Sequence, residues 1–280
     1  MEIINNKVEE IKNSLLNDII ELVKIPSVEG EAKKNYPFGE EVAKALNKSL
    51  EISKRLGFKT VNLDNYIGYA EYGEFEDYIC VIGHIDVVPE GNNWKYPPYE
   101  GVIENGKIYG RGVLDNKGPI LSSLYGLYVL KELNIKLNKN VRIIFGCNEE
   151  TGFKDIPYYL KREKPPLMGF TPDCKYPVVY GEKGMAKIIL KRKFVCTEEE
   201  FKSFFSKLSD KINITYDNIQ ISEDEIILEI KVKYDFSYKI EDVLLEINSK
   251  VIDETAVKVL SNYNPVYFDK ESKLVKSLQK

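Results

Sequence analysis

The sequence predicts an α/β protein that carries a second, smaller α+β module. Up to residue 184, short apolar runs alternate with helical repeats, the pattern of a sheet with crossover helices. Each of those apolar runs ends on polar residues, as when a site lines the carboxyl edge of a sheet. After Gly184 the order becomes strand, helix, strand, strand, helix, strand, a split βαβ module of about the smallest domain size. These observations place a first domain over 1–184 and a second over 185–263.

Residues 7–24 place Val8, Ile11, Leu15, Leu16, Ile19, Ile20 and Val23 on one helical face, and Pro26 stops the run. A Pro- and Gly-marked loop leads to a second helix over about 39–56, closed by Gly57. The segments FKTVNLD, IGYAEYG and YICVIGH read as strands, the last a buried one ending at His84. A turn-rich region over 89–118 precedes a helix over 119–133, with Pro119 suited to its first turn. KNVRIIFGCNEE is another buried strand, ending in Glu149 and Glu150; IPYYLKREK reads as a short helix, and GFTPDCKYPVVYGEKG as a strand and loop carrying Asp173. In the second module MAKIILKRKF, NIQIS, EIILEIKVKYDF and AVKVLSNY are the strands, with helices over TEEEFKSFFSKLSDKI and IEDVLLEINSKVI. The tail PVYFDKESKLVKSLQK opens a further helical pattern.

Composition narrows the function. At 280 residues, 43% hydrophobic and 30% charged, the chain can bury a substantial core. A net charge of -4 supplies no electrostatic basis for binding nucleic acid or an anionic membrane. No apolar run approaches a bilayer span, and the N-terminus reads as an amphipathic helix rather than a signal peptide. Cys80, Cys147, Cys174 and Cys196 show no C-x-x-C spacing, and three of them, in or beside apolar strand-like runs, read as buried free thiols; the cytoplasm is the default compartment.

The residues that carry chemistry collect at the strand ends: His84, Asp86, Asp115, Glu149, Glu150 and Asp173. His84 is the only histidine, and Asp86 two residues on shares its side of an extended backbone. A carboxylate behind an imidazole fixes its tautomer and strengthens it as a metal ligand. One imidazole with several carboxylates suits Zn2+, Mn2+ or Co2+, and a shared carboxylate can bridge two ions. Glu149 and Glu150 would point apart in an extended strand, but at a turn one can bind metal while the other acts as general base toward water. Each residue also has an ordinary alternative: a structural histidine, turn aspartates, a solvated Glu pair. Spacing leaves both readings open.

Longer motifs go further. GHIDVVPEG, PPYEGVIENGKIYGRGVLDNKGP, NEETG, and PD ahead of YGEKG together resemble the M20 family of metallopeptidases, most of all its PepV-like dipeptidase branch. The resemblance runs along essentially the whole chain. It implies a phosphorylase/hydrolase-like catalytic domain with a mixed sheet and a two-metal centre, plus an inserted β-α-β-β-α-β lid. By motif match, His84 and Asp173 would hold the first metal, Asp115 would bridge both, and Glu150 would bind the second. Glu149 would be the general base and Asp86 would orient His84. The implied reaction is hydrolysis of the peptide bond of a dipeptide or related amide. The resemblance also implies features this sequence lacks. Family members continue past residue 280 and return to the catalytic domain with a histidine for the second metal, and 264–280 resembles the start of that return. The lid normally adds a histidine as well, and this lid is smaller than that of the PepV-like enzymes. The sequence is thus expected to be a metal-dependent dipeptidase, completed by a second copy or a partner chain or working with a single metal, or else a truncated, degenerate or split relative inactive alone.

Overall fold

The structure is a computed structural model that describes residues 2–173, 178–193, 197, 199, 203, 208–222, 224–251 and 254–279. Two compact units divide the chain, Met1–Cys174 and Lys175–Lys280. The division falls ahead of the boundary expected at 184, and 264–280 belongs to the second unit. The cause is a two-stranded ribbon, β8 (Gly181–Glu182) with β13 (Val266–Tyr267), which ties the two stretches together.

The first unit opens with helices α1 (Glu2–Val23) and α2 (Glu40–Arg55). Its mixed sheet has the order β1-β2-β6-β3-β7, from β1 (Lys59–Leu63), β2 (Ile67–Tyr72), β3 (Tyr78–His84), β6 (Asn140–Gly146) and β7 (Gly169–Phe170). β3 runs parallel to both β6 and β7, while β2 is antiparallel to β6 and β1 to β2. The crossover from β3 to β6 passes through α3 (Lys117–Glu132), which packs on the sheet. Both faces of the central strands are covered, so their residues are apolar in unbroken runs. Val81, Ile143 and Phe145 join the core under α1, α2 and α3, whereas their neighbours Cys80 and Ile144 join a second cluster with Tyr159 of α4 (Asp155–Leu160). The three parallel strands therefore end on one edge, which sets the site there.

The region 89–118, expected only as turns, contains a hairpin, β4 (Val102–Glu104) with β5 (Lys107–Tyr109). Its turn is Asn105–Gly106, both at positive φ, a tight-hairpin signal that the sequence reading passes over.

In the second unit β9 (Gly184–Lys193), β10 (Ile212–Ile221), β11 (Glu225–Tyr234) and β12 (Thr255–Tyr263) form an antiparallel sheet of order β10-β11-β9-β12. Helix α5 (Ile240–Asn248) buries Val243 and Ile247 in the core of this sheet. β10 starts six residues before the NIQIS segment; a register shift between Tyr216 and Asn218 breaks the alternation that would reveal its first half. The helix expected over 197–212 lies largely outside the described residues, as do Cys174 and Cys196. A short helix, α6 (Lys273–Leu278), is capped by Ser272. No helix among the described residues is long and apolar enough to cross a membrane.

Cys80 and Cys147 are buried free thiols. Burial pushes Cys80 up to about 11 and Cys147 well above its ordinary value. Since the thiolate is the reactive form, iodoacetamide at pH 8 is expected to leave both untouched in the folded chain and to modify both after unfolding, as read by mass spectrometry.

Candidate metal centre

His84 ends β3 with 2% of its surface exposed. Its Nδ1–H donates to the Asp86 backbone carbonyl at 2.9 Å, which turns Nε2 toward the acids. Around Nε2 lie Asp115 Oδ1 at 2.8 Å, Asp173 Oδ2 at 3.6 Å and Glu149 Oε2 at 3.9 Å. Ligand atoms of His84, Asp115 and Asp173 lie within 4.8 Å of one another, and so do those of His84, Glu149 and Glu150. The structure thus brings all the strand-end residues to one place.

Asp86 does this differently from the sequence expectation. Its carboxylate was expected behind the imidazole, yet the hydrogen-bond partner of Nδ1 is its carbonyl, with Oδ1 at 3.5 Å. The carboxylate is engaged elsewhere, accepting from the N–H groups of Glu149 at 3.3 Å and Glu150 at 3.1 Å. The Glu pair, in turn, escapes the opposed orientation of a strand because β6 stops at Gly146 and the chain turns.

Several supporting residues were not singled out from the sequence. Asn116, fully buried, donates from Nδ2 to Asp173 Oδ1 at 3.1 Å and to the Pro172 carbonyl at 3.0 Å. One Asp173 oxygen is thereby tethered and the other faces His84. The Asp115–Asn116 peptide is cis. Lys117, also fully buried, donates to the carbonyls of Leu22 at 3.1 Å and Ile25 at 2.7 Å, pinning the Asp115 loop to the end of α1. Ser27 Oγ donates to the Ile85 carbonyl at 2.5 Å, between His84 at the end of β3 and Asp86 just beyond it. Asn116 and Lys117 sit inside the GRGVLDNKG motif, but nothing local in that motif says which neighbours are positioned and which do the positioning.

Gly83 is where the sheet and Asn116 meet. A Cβ there would lie 2.2 Å from Asn116 Oδ1 and 3.0 Å from Ile120. Gly83→Ala is therefore expected to cost about 1–3 kcal/mol of stability, and to weaken metal binding by releasing Asp173. Denaturant unfolding and metal titration of the variant check both effects.

Electrostatics favour a cation. Desolvation would lower the His84 pKa, but hydrogen bonding to Asp173 and Asp86 and their charges raise it to about 11. Desolvation lifts Glu149 to about 7, with the charges of Glu150, Asp173 and Asp86 adding and that of His84 opposing. Glu150 is raised as well, by burial first and then by the charge of Asp115. One imidazole surrounded by carboxylates that crowd and repel is the donor set of a divalent ion, whose charge removes the repulsion.

A model of peptidase family M20/M25/M40 matches residues 80–280. Putative dipeptidase YtjP of Bacillus subtilis (strain 168) is 42% identical over 176 residues, which is 62% of this chain and 38% of that protein. The Beta-Ala-Xaa dipeptidase of Lactobacillus delbrueckii subsp. lactis is 42% identical over 180 residues, 63% of this chain and 38% of that protein. These matches span less than half the length of either relative. Among solved structures, human carnosine dipeptidase 1 superposes with a TM-score of 0.74 at 15% identity, covering 99% of this chain and 83% of that one. That last likeness is one of fold.

Proposed function

We infer that this chain, which belongs to peptidase family M20/M25/M40, supplies the metal centre and general base of a hydrolase that cleaves the peptide bond of dipeptides or related amides. The observation that carries this is the approach of Asp115, Asp173 and Glu149 to the single imidazole nitrogen His84 Nε2. Dipeptides are the substrate class because two relatives at 42% identity are described as dipeptidases.

His84, Asp115 and Asp173 would hold the first ion, and by the family motif match Asp115 with Glu150 would hold the second. Zn2+ suits this mixed nitrogen and oxygen set best, with Mn2+ and Co2+ as alternatives. When bound, the ions supply Lewis-acid polarisation of the carbonyl and acidify water. The remaining work falls to the chain itself. Glu149, with a pKa raised to about 7, takes the proton of the attacking water and returns it to the leaving amine. The Asp86 carbonyl fixes the His84 tautomer, and Asn116 fixes the rotation of Asp173. The second module, over 185–263, takes the role of lid.

With one histidine in the sequence, this chain offers the second ion only carboxylates. A partner chain bringing an imidazole completes that site in our proposal. Its buried free thiols suit the reducing cytoplasm.

The test is calorimetric titration of chelator-stripped protein with Zn2+, Mn2+ and Co2+, followed by a dipeptide panel analysed by mass spectrometry. Ion binding with turnover supports the proposal. Ion binding without turnover favours a chain that is inactive alone. Failure to bind any ion removes the metal-centre assignment.

A further inference from the structure

The last rung of sheet pairing on β6 is at Gly146, yet the functional acids stand three and four residues beyond it. Four consecutive N–H groups in that gap are captured by two buried carboxylates. Asp155 Oδ2 accepts from Cys147 at 2.7 Å and from Asn148 at 3.3 Å. Asp86 then accepts from Glu149 at 3.3 Å and Glu150 at 3.1 Å. Asp155 is 1% exposed, and its other oxygen accepts from the N–H of Ile156 at 2.9 Å. Hydrogen bonds to an ionised acceptor are about twice as strong as neutral ones. A bare Gly146 leaves the room: a Cβ there would lie 3.0 Å from Asp155 Oδ2. Asn148, fully buried, closes the turn by accepting from Lys154 N–H at 3.0 Å and donating to Thr151 Oγ1 at 2.5 Å.

We propose that Asp155 is a positioning residue for the Glu149–Glu150 pair, working in series with Asp86. It touches neither substrate nor metal; it takes over where the sheet stops and sets the path on which the pair reaches His84. Asp86 alone would hold the far half of the span and leave the N–H groups of Cys147 and Asn148 without the acceptor that Asp155 gives them. The proposal rests on the metal-centre reading for its functional meaning, but its physical content is the order of the turn.

The experiment is amide hydrogen exchange by NMR on the whole chain and on Asp155→Asn, paired with Co2+ titration. Asp155→Asn is expected to speed exchange at Glu149 and Glu150, whose own acceptor is Asp86, by about tenfold or more, with β3 and α3 unchanged. It is also expected to weaken, by about 10–100-fold, the same ion-binding step that Glu150→Ala weakens. Unchanged exchange at Glu149 and Glu150 overturns the proposal, whatever the ion binding. If the parent chain binds no ion, the metal-centre reading fails while the exchange result still judges Asp155. Should Asp155→Asn not fold, Asp155→Glu keeps the charge but displaces the anchor, and the same outcomes apply. Fast exchange of Cys147 and Asn148 in the parent itself also sinks the idea.

Discussion

His84→Ala is expected to lower the affinity for a divalent ion by more than about 100-fold, since outer-shell changes alone cost up to that much and this one removes a ligand. The chain has no other histidine to take its place. His84 Nε2 is the atom on which Asp115, Asp173 and Glu149 converge, so the substitution removes the only nitrogen donor of the set. The variant retains Asp86 and its grip on the Glu149 and Glu150 amides, so the turn keeps its place. Calorimetry with Zn2+ checks this, and circular dichroism separates lost binding from lost fold. Equal binding by His84→Ala and the parent protein would mean that the ion sits elsewhere.

Glu149→Gln is the second large effect, and it splits chemistry from binding. In any preparation that turns over a dipeptide, kcat is expected to fall by about 10²–10⁴-fold, the usual worth of a positioned general base. Glutamine keeps the size and the backbone hydrogen bond to Asp86 but cannot accept a proton. The first ion, assigned to His84, Asp115 and Asp173, is expected to bind as before. Steady-state kinetics and ion titration on the same sample read the two quantities. A fall in ion affinity with kcat unchanged would reassign Glu149 from base to ligand.

Much of the fold was legible because it is written locally. Helical spacing of apolar residues marks α1 and α2, and Pro26 and Gly57 stop the runs close to where the helices end at Val23 and Arg55. Apolar runs mark β3 and β6, whose burial on both faces leaves no alternation to confuse with a surface strand. Elsewhere local signals failed for identifiable reasons. β4 and β5 are three residues each, too short for a period to register, and only their Asn105–Gly106 turn marks them. The first half of β10 is hidden by the register shift after Tyr216. The division of the chain depends on the β8–β13 ribbon, two residues a side and more than eighty residues apart in sequence.

By itself the sequence determined which side chains are available for chemistry, one imidazole and five strand-end acids, and which strands carry them. Tertiary structure alone decided what each one faces. The order β2-β6-β3-β7 sets strands that are not consecutive in the chain side by side, so that residues some sixty apart come within hydrogen-bonding distance. That is why Asp86 turns its carboxylate to the Glu149 and Glu150 amides and only its carbonyl to His84. It is also why Asn116, Lys117 and Asp155, ordinary polar residues in the sequence, become buried groups whose hydrogen bonds hold the site. A residue's type and periodicity are local properties. The partner that a buried polar group must find is supplied by whichever distant segment the fold brings against it.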